Sequence, residues 1–112
     1  MLAWQEAHAV TLGVIDLSRH AWRPYAAAVF SQLQRASLST ELNIAEGYTY
    51  GESASFTRHL GISYGSSVET SELLRIGIEA EIFPDVAARL LARAGRSSRL
   101  ILGLLKPRRT FR

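Results

Sequence analysis

Cysteine is absent from this chain, and lysine nearly so: twelve of its thirteen basic residues are arginine. Without cysteine there are no disulfides and no thiolate metal ligands. His8, His20 and His59 are isolated from one another in sequence. The pairs at helical spacing that bind metals are therefore missing. There is no glycine-rich phosphate loop followed by Lys-Ser or Lys-Thr, no dinucleotide fingerprint, and no serine in a nucleophile-elbow pattern. Glu69 and Glu72 lie one turn apart, but the histidine of a di-metal Glu-x-x-His arrangement is not there. No apolar run is long enough to cross a membrane. Met1 leads straight into Leu2-Ala3-Trp4-Gln5-Glu6, without a basic n-region or a cleavage site. These absences predict a non-enzymatic cytoplasmic protein with no catalytic residue, no cofactor, no metal and no membrane contact.

Acidic residues are missing from one stretch in particular. Between Val86 and Arg112 there are eight basic residues and no acidic one: Arg89, Arg93, Arg96, Arg99, Lys106, Arg108, Arg109 and Arg112. The rest of the chain carries a net charge of −5, so the overall +3 hides a strong polarity. Arginine suits bidentate contacts to phosphate or carboxylate.

What remains is apolar and helical. Hydrophobic residues make up 47% of 112 residues. A chain of this size forms one domain and buries about 65% of its unfolded surface. Four helical segments and no convincing strand are visible. The first runs from about Leu2 to His20, with Ala7, Val10, Val14 and Leu17 at helical spacing. Pro24 breaks it. The second runs from about Tyr25 to Glu46, where Gly47 is expected to close it in the left-handed conformation. The third begins at Glu52 or Ser53 and continues to about Ala80. The fourth runs from Pro84 or Asp85 to Lys106, and Pro107 ends it. Short loops make consecutive helices antiparallel neighbours. The expected architecture is an all-α, up-down antiparallel four-helix bundle over residues 1–106, with a basic tail at 107–112.

Placed at 100° per residue, the second and third helices each show two apolar faces. Val29, Leu33, Ala36, Thr40 and Ile44 share one arc of the second. Phe56, Leu60, Ser63, Ser67, Leu74 and Ile78 share one arc of the third. Leu38, Leu42 and Ala45 fall on the far side of the second helix, beside Arg35 and Glu46. Ile62, Leu73 and Ile76 fall on the far side of the third, around Glu69. A lone bundle needs one face per helix, so the second set predicts an oligomer interface through Leu38, Leu42, Ile62, Leu73 and Ile76. Gly61 and Gly65 each cost about 1 kcal/mol inside a helix, which suggests close approach of another helix. Arg35 and Glu46 are too far apart to pair, and Glu69 or Glu72 is the expected partner of Arg35. On the fourth helix Ala87, Leu90, Leu91, Ala94, Ser98, Ile101 and Leu105 form the core arc. Arg89, Arg93, Arg96 and Arg99 lie opposite, a stripe suited to phosphates that continues into Lys106, Arg108 and Arg109. The alternative is a protein-binding adaptor whose arginines meet an acidic partner.

The motifs Ala3-Trp4-Gln5-Glu6-Ala7-His8, Ser31-Gln32-Leu33-Gln34-Arg35-Ala36, Ser39, Asn43-Ile44-Ala45-Glu46-Gly47, Phe56, Arg58, Leu60, Ile62, Gly65-Ser66 and Glu69 resemble one family. It is that of the small four-helix bundle proteins encoded by intervening sequences in bacterial 23S ribosomal RNA genes. The likeness spans roughly residues 3 to 106. Two departures stand out: Glu41-Leu42 replaces the proline that usually precedes the Asn-Ile-Ala-Glu-Gly block, and arginine stands where the family has lysine. The resemblance implies a ring-shaped homopentamer, with Arg35, Asn43, Glu46, Gly47, Gly65 and Glu69 as structural motif residues. A branch of the same fold, the accessory protein of diversity-generating retroelements, is a basic pentamer that binds nucleic acid; this chain is not close to that branch in sequence. RNA or DNA and further copies of the chain itself are thus the expected partners.

Overall fold

A computed structural model of the chain describes residues 1–51 and 53–106. Four α-helices follow one another: α1 (Leu2–Ala21), α2 (Ala27–Tyr48), α3 (Ala54–Glu79) and α4 (Ala87–Leu105). There is no strand among the described residues. Each helix packs on two others, α1 on α2 and α4, α3 on α2 and α4. The α2–α3 face therefore lies opposite the α1–α4 face. Side-chain bonds fix the antiparallel register: Thr11 reaches Ser37, Ser63 reaches Thr40, and Ser67 reaches Ser98. No helix is long and apolar enough to cross a membrane among the described residues.

The breaks have local causes. Trp22 and Arg23 are extended, as a residue ahead of proline must be, and Pro24–Ala26 forms a single 3₁₀ turn. The second helix accordingly starts at Ala27 rather than Tyr25. It also runs past Glu46 to Tyr48, so Gly47 lies inside the helix and does not close it. Gly51 takes the left-handed conformation instead, at φ 64°. The third helix opens with a Ser53 cap, whose hydroxyl accepts from the Phe56 amide at 3.3 Å. It closes through Glu81 at φ 59°, with the amides of Ile82 and Phe83 both donating to the Gly77 carbonyl. The fourth helix begins at Ala87, because Pro84–Val86 forms a turn in which Pro84 and Asp85 carbonyls accept from Ala87 and Ala88. It stops at Leu105, and Lys106 is extended.

The core has two apolar clusters. Val10, Val14, Leu17, Phe30, Leu33, Leu74 and Phe83 fill one half of the bundle. Ala3, Ala7, Ile44, Leu60 and Ile101 fill the other. Between them lies a waist of small and hydroxylated residues, among them Ser37, Thr40, Ser67, Thr70 and Ser97. Most of these hydroxyls are satisfied by helix carbonyls, as Thr40 is by Ala36 at 2.9 Å. The Ser97 hydroxyl has no partner among the described residues.

The glycines divide sharply. A Cβ at Gly77 would run into the Phe83 ring, and one at Gly13 would meet Leu90 Cδ1 at 2.6 Å. At Gly61 and Gly65 nothing lies within 4 Å, so the close helix approach expected there does not occur within the subunit. Gly77→Ala should destabilise the fold by about 1–3 kcal/mol through overpacking. Gly61→Ala should stabilise it by up to about 1 kcal/mol. Urea denaturation of both variants checks this, and a neutral Gly77→Ala would contradict the Phe83 packing.

Candidate functional site

The α2–α3 seam is built from small side chains. Ser63 Oγ donates to the Thr40 carbonyl across it at 2.7 Å, which requires the two backbones to be close. Gly47 continues the seam: a Cβ there would meet His59 Cβ at 3.3 Å and the Phe56 carbonyl oxygen at 3.6 Å. Its role is close packing, a use that helix-stop reasoning does not reveal.

A chain of polar contacts follows this seam outward. Asn43 Nδ2 donates to the Ser39 carbonyl at 2.9 Å and to Ser39 Oγ at 3.3 Å. A carbonyl can only accept, so the Asn43 amide orientation is fixed and its Oδ1 faces His59. His59 Nδ1, 3.0 Å away, therefore carries a hydrogen and donates. Tyr50 stacks on the same imidazole at 5.4 Å and 7°. Ser39 Oγ and Ser66 Oγ share one hydrogen bond of 2.7 Å. They lie in a shallow groove with Gln32, Arg35, Ala36 and Glu69.

Arg35 and Glu69 are both exposed, and no ion pair to Arg35 forms among the described residues. The expected bridge to Glu69 or Glu72 is absent; Glu72 pairs with Arg75 at 2.8 Å, one turn away on its own helix. Around the groove Leu38, Leu42, Ile62 and Ile76 are between 42% and 55% exposed. Leu73 is not part of this outer face: it is half-buried against the core cluster of Leu33 and Leu74. Glu46 and Gly65 are exposed, and Glu46 contributes its carbonyl, which accepts from the Thr49 hydroxyl at 2.7 Å.

On the opposite face Arg89, Arg93, Arg96, Arg99 and Lys106 are all exposed along α4. Arg108, Arg109 and the rest of the 107–112 tail lie outside the described residues. Two of the four stripe arginines have a partner that the sequence reading missed. Glu6 on α1 is buried, and Arg93 Nε donates to its Oε1 at 2.8 Å while Arg96 lies 3.6 Å from its Oε2. The signal was available: Glu6 sits between Ala3 and Val10 on the apolar stripe of α1, and a buried acid needs a cation. The Arg93 hydrogen bond holds the Glu6 carboxyl below its ordinary range, against the burial that would raise it, and the charges of Arg93 and Arg96 add to the lowering. The stripe is therefore partly neutralised at its centre, while Arg89 and Arg99 have no carboxylate partner among the described residues.

A second missed pair is His8 Nδ1 donating to Glu41 Oε2 at 2.8 Å, with His8 stacked on Trp4 at 4.7 Å. It straps α1 to α2. Among the described residues no group of three or more His, Asp or Glu side chains is placed to hold a metal.

Together these features define a small all-α bundle with an Arg–Glu groove and exposed Leu38, Leu42, Ile62 and Ile76 on α2 and α3, and an arginine row on α4; Leu12 and Ile15 of α1 and Leu102 and Leu104 of α4 are exposed as well. Residues 1–103 match the family described as 23S rRNA-intervening sequence protein. The chain belongs to that family. No curated protein matches it.

The Glu6 contact gives a pH test. A carboxyl whose folded-state pKa is lowered contributes stability that is fully present above its ordinary value and is lost as pH falls through the folded value. The melting temperature should therefore fall on acidification below about pH 4.5, the ordinary carboxylate region. Glu6→Gln should lower stability at pH 7 by about 1 kcal/mol, because its arginine partners are half exposed. It should also flatten the acid limb. An unchanged acid limb in thermal melts of Glu6→Gln would contradict the pairing.

Proposed function

We propose that the protein is a non-enzymatic scaffold: a homo-oligomer assembled through its α2–α3 face that contacts RNA or DNA through α4. The single observation that carries the nucleic-acid half is the row Arg89, Arg93, Arg96 and Arg99, exposed along one helix whose whole length lacks an acidic residue. From Arg89 to Arg99 the row is about 15 Å long at the helical rise. Arginines spaced along such a length neutralise successive phosphates and release counterions. The Glu6 bond favours this use in one respect: it holds the Arg93 side chain in one geometry while leaving half of it exposed.

The exposed Leu38, Leu42, Ile62 and Ile76 support assembly, because large apolar side chains left in the open on two adjacent helices suit a protein contact. The ring of five is what family likeness implies. The cytoplasm is the compartment that fits a chain without cysteine. The runner-up reading, an adaptor for an acidic protein, draws on the same Glu6 contact, in which α4 arginines hold a carboxylate.

Fluorescence anisotropy with labelled single-stranded RNA and duplex DNA across a salt series tests the proposal. Binding is expected to weaken with salt at a log–log slope of about −3 to −4 if four phosphates are contacted. Replacing Arg89 and Arg99, the two stripe arginines without a carboxylate partner among the described residues, by glutamine should weaken it and reduce the salt slope by about 2 with assembly intact. Competition by an acidic polypeptide but not by polynucleotide would favour the adaptor. Loss of assembly in the glutamine variant would place these arginines between subunits.

A further inference from the structure

The α2–α3 groove contains more hydrogen-bond donors than its own chain uses. In the Ser39–Ser66 hydroxyl pair one oxygen donates and the other accepts, so the bond consumes one of two hydroxyl hydrogens. The Asn43 amide supplies a further donor to Ser39 Oγ and takes nothing from it. Neither hydroxyl donates to a helix carbonyl among the described residues, unlike Thr40, Ser67 and Thr70 nearby. One hydroxyl hydrogen is therefore left for an acceptor from outside. Beside it stands the Arg35 guanidinium, with no carboxylate on it among the described residues. Glu69 lines the same groove and is also without a cation among the described residues. Glu6, Glu41 and Glu72 are taken by arginine or histidine, whereas Glu46, Glu79 and Glu81 are, like Glu69, without a cation among the described residues; what sets Glu69 apart is that it shares its groove with Arg35.

An arginine and a glutamate that share a groove yet do not pair form a surface with both halves of an ion pair. A second copy of the same chain matches it by charge, and the exposed Leu38, Leu42, Ile62 and Ile76 supply the apolar surround that excludes water from the pair. We infer that Arg35 pairs in trans with Glu69 of the partner subunit, with the free hydroxyl of the Ser39–Ser66 pair donating to the same carboxylate. This rests on the assembly reading above and specifies its polar contact. The apolar residues supply area; the Arg35–Glu69 pair sets which register of two copies is accepted. The fixed Asn43 amide and the His59 it receives from hold Ser39 in place from behind.

The test uses two single charge reversals, Arg35→Glu and Glu69→Arg, each purified alone and then mixed. Both residues are exposed, so circular dichroism should show helicity unchanged. Each variant alone places like charges at the contact and should raise the concentration for half-assembly by about tenfold or more in sedimentation velocity. The equimolar mixture should assemble at a lower concentration than either variant alone, because the carboxylate introduced at position 35 of one variant meets the guanidinium introduced at position 69 of the other; in a ring of five, four of the five junctions can be of this complementary kind. An intramolecular pair cannot be rescued by mixing two chains. A mixture that assembles no better than either variant alone, or full assembly of each variant alone, would overturn the trans pair while leaving the apolar face as the interface. A wild-type chain that stays monomeric would overturn both.

Discussion

Close contact between α2 and α3 is the constraint on which the rest of this structure depends. The Ser63 hydroxyl reaches the Thr40 carbonyl at 2.7 Å, and a Cβ on Gly47 would press on His59 Cβ at 3.3 Å. Thr40 and Ser63 fit such a seam, and the central waist behind it is likewise built of small buried residues, among them Ser37, Ser67 and Thr70. Their hydroxyls must be satisfied, and helix carbonyls one turn back do so for Thr40, Ser67 and Thr70. The large apolar residues that the seam cannot hold appear on the outside of the same two helices. Tight internal packing and an apolar outer face are thus two results of one sequence pattern.

The opposite face is organised by a single buried carboxylate. Glu6 joins α1 to α4 across 87 residues of sequence and orders the middle of the arginine row. The two faces are physically separate, so assembly on α2–α3 leaves α4 exposed. Under the proposed reading each subunit of an oligomer would repeat the basic row, and repeated weak phosphate contacts would multiply in effect.

Helix count, order and core arcs were legible because apolar residues recur at helical spacing over segments of about twenty residues. Leu33, Ala36, Thr40 and Ile44 are buried on α2 as their angles require, and so are Leu60, Ser63, Ser67 and Leu74 on α3. The family was legible from the Asn-Ile-Ala-Glu-Gly block and the residues around it. Less legible was anything depending on how closely two helices approach. Gly47 reads as a helix stop by itself, and only the position of His59 makes it a packing residue. Gly61 and Gly65 read as packing residues, and within the subunit nothing lies within 4 Å of a Cβ on either. Leu73 is half-buried against the core although Ile62, about 20° away around the helix, is exposed, so helical angle alone does not separate the two. Glu6 was legible in principle from its place on an apolar stripe, but its partner on α4 was not, since no local rule connects residues so distant in sequence.

The most direct measurement is the mass of the wild-type particle in solution by sedimentation velocity at tens of micromolar. The chain is 12.4 kDa. A face carrying Leu38, Leu42, Ile62 and Ile76 in the open is expected to be covered by another copy, giving one species at several times that mass, fivefold for the ring that the family likeness implies. A single 12.4 kDa species at that concentration would contradict the reading of this surface as a subunit interface.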